Sequence, residues 1–92
     1  MSFKKMRGVR VPYNSQGLIY FICKNYYSQP QNVRDYIDSL CVRVGGIYAA
    51  ELKLVVTSGA SVRNIALKHC ISEPTLYRLR KEFYEAWNFG TK

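Results

Sequence analysis

Residues 62–81 have the sequence VRNIALKHCISEPTLYRLRK, and the spacing of their apolar side chains predicts two short helices that cross over a tight turn. Ile65 and Ala66 are expected to face inward on the first helix, and Leu76 and Leu79 on the second. Ala66 is the expected crossing point, because a small side chain there lets the two helices approach closely. This spacing is typical of a helix-turn-helix unit.

The connection between these two helices is short, and Ile71 is expected to fill the turn. Ser72 can cap the second helix, and Pro74 is tolerated in its first turn, where the amides have no helical acceptor. Helix-turn-helix units usually place glycine where this chain has Cys70, because glycine adopts a positive φ at little cost. A slightly different or strained turn is therefore expected. The alternative for residues 62–81 is an ordinary pair of amphipathic helices in a small bundle.

The balance of charge favours a polyanionic partner. The 92 residues are enough for one domain with a modest core. Lysine and arginine total 14 against 6 acids, a formal charge of +8, and binding such a surplus to phosphates releases counterions. Simple solubility is the alternative, but the charge is concentrated in residues 61–81 and in the first ten residues. The latter contain Lys4, Lys5, Arg7 and Arg10 and no acid.

The three cysteines, Cys23, Cys41 and Cys70, lie far apart and form no CxxC pair. A disulfide framework, a zinc site and any other metal or cofactor are therefore not expected. Reduced thiols at apolar positions are typical of the cell interior, so a cytoplasmic location is expected. No signal peptide is predicted, and the longest apolar run, residues 18–23, is too short to cross a bilayer.

The periodicity of the whole chain predicts an all-α domain over residues 1–92, with about five helices and a C-terminal helix-turn-helix. Residues 1–12 are expected to be a flexible basic arm, residues 15–57 a helical support, and residues 61–87 the helix-turn-helix. The expected support helices are residues 15–27, capped by Asn14 or Ser15; residues 32–44, ended by Gly45-Gly46; and residues 47–57, with Leu52, Val55 and Val56 inward. The cleanest apolar stripe consists of Val33, Tyr36, Ile37, Leu40, Cys41 and Val44.

The helix over residues 15–27 carries apolar side chains on more than one face. Its core face is expected to consist of Leu18, Ile19, Ile22, Cys23 and Tyr26. Tyr20, Phe21 and Tyr27 fall largely outside that face, and exposed apolar patches often mark interfaces. This helix is therefore predicted to bind a protein partner or a second copy of the chain, as a homodimer. The alternative is that the core buries it completely.

Residues 34–83 carry a family resemblance. Their sequence, RDYIDSLCVRVGGIYAAELKLVVTSGASVRNIALKHCISEPTLYRLRKEF, resembles the core of the sporulation stage III D-type transcription regulators. In that family a DYI-type helix leads to an SVRxIA helix and then to an IS-x-x-T-[LV] recognition helix. The chain is similar, more loosely, to the region-4-like domains of sigma factors and to small phage regulators built on them. The resemblance implies sequence-dependent binding of duplex DNA, with the helix that starts near Ser72 in the major groove.

A recognition helix contacts bases through side chains near its N-terminus, because only that end reaches the floor of the groove. Arg78 can bond guanine in a bidentate manner, whereas Arg80 is expected to point elsewhere and pair with a neighbouring acid. The candidate base contacts are Glu73, Pro74, Thr75, Tyr77 and Arg78, with Tyr77 also suited to phosphate. The candidate phosphate contacts are Arg63, Lys68, Ser72 and Lys81. The alternative for each residue is a solvated surface position.

The basic arm is a candidate for contact with the minor groove, because such arms can follow it beside a helix that occupies the major groove. The residues concerned are Lys4, Lys5, Arg7 and Arg10. The alternative is that the arm is simply solvated.

Catalytic residues are not expected. His69 and Cys70 are neighbours in sequence and point in different directions, so they do not form a Cys/His couple. Asp35 and Asp38 could bind a cation, but the dipole at the start of a helix explains two carboxylates more simply. The expected function is a sequence-specific, duplex DNA-binding transcription regulator of a bacterium, phage or mobile element. The alternative is a small helix-turn-helix adaptor that recruits a protein machine, such as a phage packaging enzyme or RNA polymerase.

Overall fold

The structure is a computed structural model that describes residues 10–87, and every regular element in that range is helical. The all-α class is therefore confirmed for this part of the chain. None of its helices is long and apolar enough to span a membrane. The elements, in chain order, are α1 (Tyr13–Lys24), a 3-10 turn (Tyr26–Ser28), α2 (Gln31–Gly45), a second 3-10 turn (Gly46–Tyr48), α3 (Ala49–Thr57), α4 (Val62–His69) and α5 (Glu73–Ala86).

The start of α1 differs from the prediction, because neither Asn14 nor Ser15 is its cap. The helix begins directly after Pro12, and no side chain caps it. Proline fits this position, since its ring fixes φ and its missing N–H is not needed there. The carbonyl of Pro12 accepts the first helical hydrogen bond from the amide of Gln16, at 2.9 Å. The Gln16 side chain is fully buried and donates to the carbonyl of Val11 at 2.8 Å, which fixes the entry into the helix.

The end of α1 also comes earlier than predicted, at Lys24 instead of residue 27. The side-chain amide of Asn25 donates to the carbonyl of Phe21 at 2.8 Å. A side chain that bonds a helical carbonyl in this way competes with continuation of the helix. The chain therefore tightens into the 3-10 turn before Pro30 and α2.

Helix α2 has the predicted apolar stripe and lies against α3 and α5. Ile37, Leu40 and Cys41 are buried, and Val33, Tyr36 and Val44 pack partly buried against them. The predicted end is confirmed, because α2 stops at Gly45 and Gly46 takes a φ of +56°. The prediction that the third helix starts at residue 47 is wrong. The reversal at Gly46 places residues 46–48 in a 3-10 turn, and α3 begins at Ala49.

Helices α4 and α5 match the two helices predicted for residues 62–81. Ser61 caps α4, its Oγ accepting the amide hydrogen of Asn64 at 3.1 Å, and Ser72 caps α5 in the same way toward Thr75 at 3.5 Å. Ile65, Ala66, Leu76 and Leu79 are buried, as expected, and Ile71 packs partly buried in the connection. Leu76 and Leu79 continue along α5 into the buried rings of Phe83 and Tyr84.

The turn between α4 and α5 has the backbone conformation that glycine favours. Cys70 is left-handed, with φ 56° and ψ 44°, and no other non-glycine residue among residues 10–87 has a positive φ. This conformation lets the amide of Ile71 donate to the carbonyl of Ala66 at 3.0 Å, which closes the end of α4. The predicted strain is therefore located at a single residue.

The three cysteines are free thiols in different surroundings. Cys23 and Cys41 are buried in the core, and Cys70 is exposed. The pKa of Cys23 and that of Cys41 are both raised to about 12, mainly by burial and to a smaller extent by the neighbouring Cys41 and Asp38 respectively. The two buried thiols therefore stay protonated and pack as small apolar side chains.

A larger side chain at Ala66 is expected to separate α4 from α5. Ala66→Leu should lower the free energy of unfolding by about 1–3 kcal/mol, because overpacking forces the backbone to shift. Asn64→Leu adds the same side chain at an exposed position of α4 and should change that free energy by less than about 0.5 kcal/mol. Urea unfolding followed by circular dichroism measures both variants. Equal stability of the two would contradict a close crossing at Ala66.

Glycine at position 70 is expected to stabilise the fold. Cys70→Gly should exceed Cys70→Ala in free energy of unfolding by about 0.5–1 kcal/mol, because a left-handed residue is strained unless it is glycine. Both variants remove the exposed thiol, so their difference isolates the backbone conformation. The measurement is urea unfolding at fixed pH. An alanine variant at least as stable as the glycine variant would mean that residue 70 is not left-handed.

Candidate nucleic-acid interface

The first half of α5 presents a continuous exposed face, which we call the α5 outer face. It consists of Pro74, Tyr77, Arg78 and Lys81, at the steps of three and four that align side chains along a helix. Glu73 and Thr75 lie at the border of this face and are half-buried. Of the five candidate base contacts, three therefore lie together on the outer face and two beside it.

Arg78, the candidate for bidentate contact with guanine, already has an acidic neighbour. Its Nη1 lies 3.3 Å from Oε2 of Glu82, one turn further along α5, and both side chains are largely exposed. An exposed pair of this kind contributes only about 0–1 kcal/mol. Arg78 can therefore exchange Glu82 for a stronger acceptor at small cost. The i,i+4 spacing of the two residues was the sequence signal for this pair.

The candidate phosphate contacts are divided between α4, the start of α5 and the α5 outer face. Arg63 and Lys68 are exposed on α4, and Lys81 is exposed on α5. Ser72 is also exposed, but its hydroxyl oxygen accepts the amide hydrogen of Thr75. Its hydroxyl hydrogen remains able to donate to an anion.

The positive charge of α4 and α5 is largely uncompensated. Among the lysines and arginines of residues 61–87, all of which the structure describes, Arg78 alone forms an ion pair. Acids elsewhere have partners outside the α5 outer face: Asp38 pairs with Lys53 at 3.0 Å, and Glu51 contacts the imidazole of His69 at 3.2 Å. An external anion would therefore meet cations that have no internal competitor.

The prediction that Arg80 pairs with a neighbouring acid is wrong. Its guanidinium carbon lies 5.2 Å from the centre of the Tyr77 ring, and the described residues provide it with no ion pair. The two acids that follow it have other partners, since Glu82 faces Arg78 and Glu85 accepts from the amide of Arg10 at 3.0 Å. The i,i+3 spacing brings the Tyr77 ring beside Arg80 instead.

The basic arm is described only at its end. Lys4, Lys5 and Arg7 lie outside the described residues, so the prediction for them stays a prediction. Arg10 is held against Glu85, by its amide at 3.0 Å and by its side-chain Nε at 3.9 Å. Glu85 is eleven residues beyond Pro74, or about 16 Å along the helix axis. Arg10 therefore lies near the end of α5 that is remote from the candidate base contacts.

A polar cluster that the sequence analysis missed joins the first 3-10 turn to α2 and α3. The hydroxyl of Tyr26 donates to both oxygens of Asp38, at 2.8 and 2.9 Å, and the Lys53 ammonium donates to that hydroxyl at 3.0 Å. Hydrogen bonds to Tyr26 and Asp38 raise the pKa of Lys53. Asp38 is therefore explained by Lys53 and not by the helix dipole, whereas Asp35 accepts from the side-chain amide of Gln31 at 2.7 Å.

The features considered for catalysis have structural partners. His69 is turned toward α3, with its Nδ1 3.2 Å from Oε2 of Glu51. No group of three or more possible metal ligands occurs within residues 10–87. An open depression between α2 and α3 has a volume of about 180 Å³, which is below the roughly 300–1,000 Å³ of typical small-molecule sites. It is lined by Asp38, Cys41, Val42, Ala49, Ala50 and Lys53.

The outer side of α1 is apolar. Leu18 was expected on the core face, and this prediction is wrong. The residue is 56% exposed, because the buried face of α1 is centred on Ile19 and Cys23. Phe21 and Tyr27 lie outside the core, as expected, with 48% and 85% of their surface exposed. The prediction that this helix binds a partner or a second copy stays a prediction.

Comparisons with known proteins leave the resemblance to the sporulation regulators without independent support. No family model matches the chain, and no significant match was found among curated proteins or solved structures.

Proposed function

We propose that this chain is a duplex DNA-binding transcription regulator in which α4 and α5 act as a helix-turn-helix. The observation that carries the proposal is the concentration of uncompensated cations around the α5 outer face. Arg63, Lys68 and Lys81 are exposed and form no ion pair within the described residues. The strong negative charge of a nucleic acid backbone is the complement of such a surface.

The crossing of α4 and α5 supports this proposal over a general polyanion site. Ala66 is buried, Cys70 is left-handed, and α5 buries Leu76 and Leu79 while its outer face stays exposed. A helix of about 14 residues with such an exposed face can enter the major groove of B-DNA. Arg78 would then contact a base edge, and Arg63, Lys68 and Lys81 would contact phosphates and set the register.

The alternative function is a small adaptor that recruits a protein machine. The exposed apolar side chains on the outer side of α1, Tyr13, Leu18 and Phe21, favour it, because such patches often mark protein interfaces. The resemblance to sporulation regulators begins at residue 34 and does not include α1. The two functions differ in whether the isolated protein binds random duplex DNA at low salt.

Binding of duplex DNA should depend steeply on salt. Anisotropy of a labelled random duplex between about 50 and 200 mM KCl should give a log–log slope of about −2.7 or steeper, since each phosphate contributes about 0.9 and three cations are proposed to contact phosphates. Lys81→Gln should make the slope shallower by about 0.9. Arg34→Gln is the matched control, because it removes one positive charge far from the start of α5. Arg34 is close in sequence to Tyr36 of α2, whose ring centre lies 5.0 Å from that of Trp87, just after α5 ends. A flat affinity over this range would exclude the proposed function.

Arg78 should determine sequence preference more than general affinity. On the duplex selected from a random library, Arg78→Ala should cost roughly 1–3 kcal/mol, because a bidentate contact with guanine would be lost. Lys68→Ala should weaken selected and random duplexes by the same factor, as expected for a phosphate contact. Competition binding with the two duplexes measures both variants. Equal losses of Arg78→Ala on both duplexes would remove Arg78 from the base contacts.

A further inference from the structure

Arg80 is a partly buried cation whose charge nothing in the described chain neutralises. Its Nε is buried and donates to no acceptor within residues 10–87, and no ion pair reaches its guanidinium. Burying an unsatisfied donor normally costs free energy. Because the Nε is enclosed by the protein, an external anion would meet the terminal Nη groups of the guanidinium and neutralise its charge.

The Tyr77 ring fixes the position of this guanidinium. The distance from Cζ of Arg80 to the ring centre is 5.2 Å, within the range of a cation–π contact. On the other side along the helix, one turn later, lies the buried Tyr84. Burial raises the pKa of the Tyr84 phenol, and the positive charge of Arg80 partly opposes this rise. The ring of Tyr77 is therefore the contact that positions the guanidinium.

The acids of α5 are placed where they do not neutralise Arg80. Glu82 pairs with Arg78, and Glu85 pairs with Arg10. Glu73 is seven residues earlier in the helix, about 10 Å along the axis, and forms no ion pair. Among residues 10–87 no acid pairs with Arg80, which leaves its charge open to an external anion.

The location of Arg80 selects the kind of anion. Tyr77 belongs to the α5 outer face, and Arg80 lies at the border of that face, one turn further from the N-terminus. A recognition helix contacts bases near its N-terminus and approaches the sugar-phosphate backbone further along. A guanidinium held at this border can donate two parallel hydrogen bonds to one phosphodiester.

We propose that Arg80, positioned by the ring of Tyr77, binds a backbone phosphate of duplex DNA beside the α5 outer face. This inference rests on the proposed function. It adds a phosphate contact by Arg80, a residue that the sequence analysis expected to pair with a neighbouring acid. Tyr77 is a positioning residue in this contact, because its ring holds the guanidinium and the phosphate meets Arg80.

The test compares the salt dependence of two variants that each lose one positive charge. The probe is a labelled duplex of random sequence, measured by anisotropy between about 50 and 200 mM KCl. Arg80→Gln should reduce the magnitude of the log–log slope by about 0.9, the value for one phosphate. Arg34→Gln, near the start of α2, should leave the slope unchanged. Circular dichroism and urea unfolding verify that both variants are folded.

The possible results separate this inference from the proposed function. A log–log slope that becomes shallower in Arg80→Gln but not in Arg34→Gln supports the phosphate contact. If the parent protein binds with a steep slope and Arg80→Gln keeps that slope, the phosphate contact is wrong while the proposed function stands. A parent protein with no salt-dependent binding would overturn both.

A second pair of variants tests the role of the ring and covers the case in which Arg80→Gln does not fold. Arg80→Lys keeps the charge but loses the planar stack, so it should bind severalfold more weakly with an unchanged slope. Tyr77→Leu should likewise weaken binding, and Tyr77→Phe should do so less because it keeps the ring. The effect of Tyr77→Leu should shrink in the Arg80→Lys background. Parent-like affinity of Arg80→Lys, or independent effects of the two substitutions, would overturn the positioning by Tyr77.

Discussion

The packing of α4 against α5 across the turn at Cys70 is the constraint on which the rest of the structure depends. Ala66 is buried, and the left-handed backbone of Cys70 turns the chain within three residues. The amide of Ile71 then closes α4 on the carbonyl of Ala66, and Ser72 starts α5. Because this geometry sets the direction of α5, it also decides which of its side chains form the exposed face and which enter the core.

The first three helices hold α5 from its other end. Trp87 packs edge-on against Tyr36 of α2, and the buried ring of Phe83 contacts Trp87. The cluster of Tyr26, Asp38 and Lys53 joins the first 3-10 turn to α2 and α3 through hydrogen bonds of 2.8 to 3.0 Å. A rigid support of this kind is what an exposed binding helix needs, since a site is precise only when the elements below it are fixed.

The distribution of ion pairs links the fold to the proposed function. Asp38 and Glu85 each pair with a cation that lies outside the α5 outer face, and Glu51 contacts the imidazole of His69, so all three acids join separate parts of the fold. The cations of α4 and α5, apart from Arg78, are left for an external partner. These few acids therefore have two effects. Their contacts join elements of the fold, and they leave the positive charge of α4 and α5 largely uncompensated.

The sequence by itself determined the features that depend on near neighbours. Helical periodicity and local capping predicted the stripe of α2, the cap at Ser72 and the buried Ala66, because each involves residues within a few positions of one another. Only the tertiary structure decided the exposure of Leu18 and the stacking of Arg80 on Tyr77 in place of an ion pair. Those outcomes depend on which side of a helix meets the core and which acids distant residues already occupy, and local spacing does not specify either.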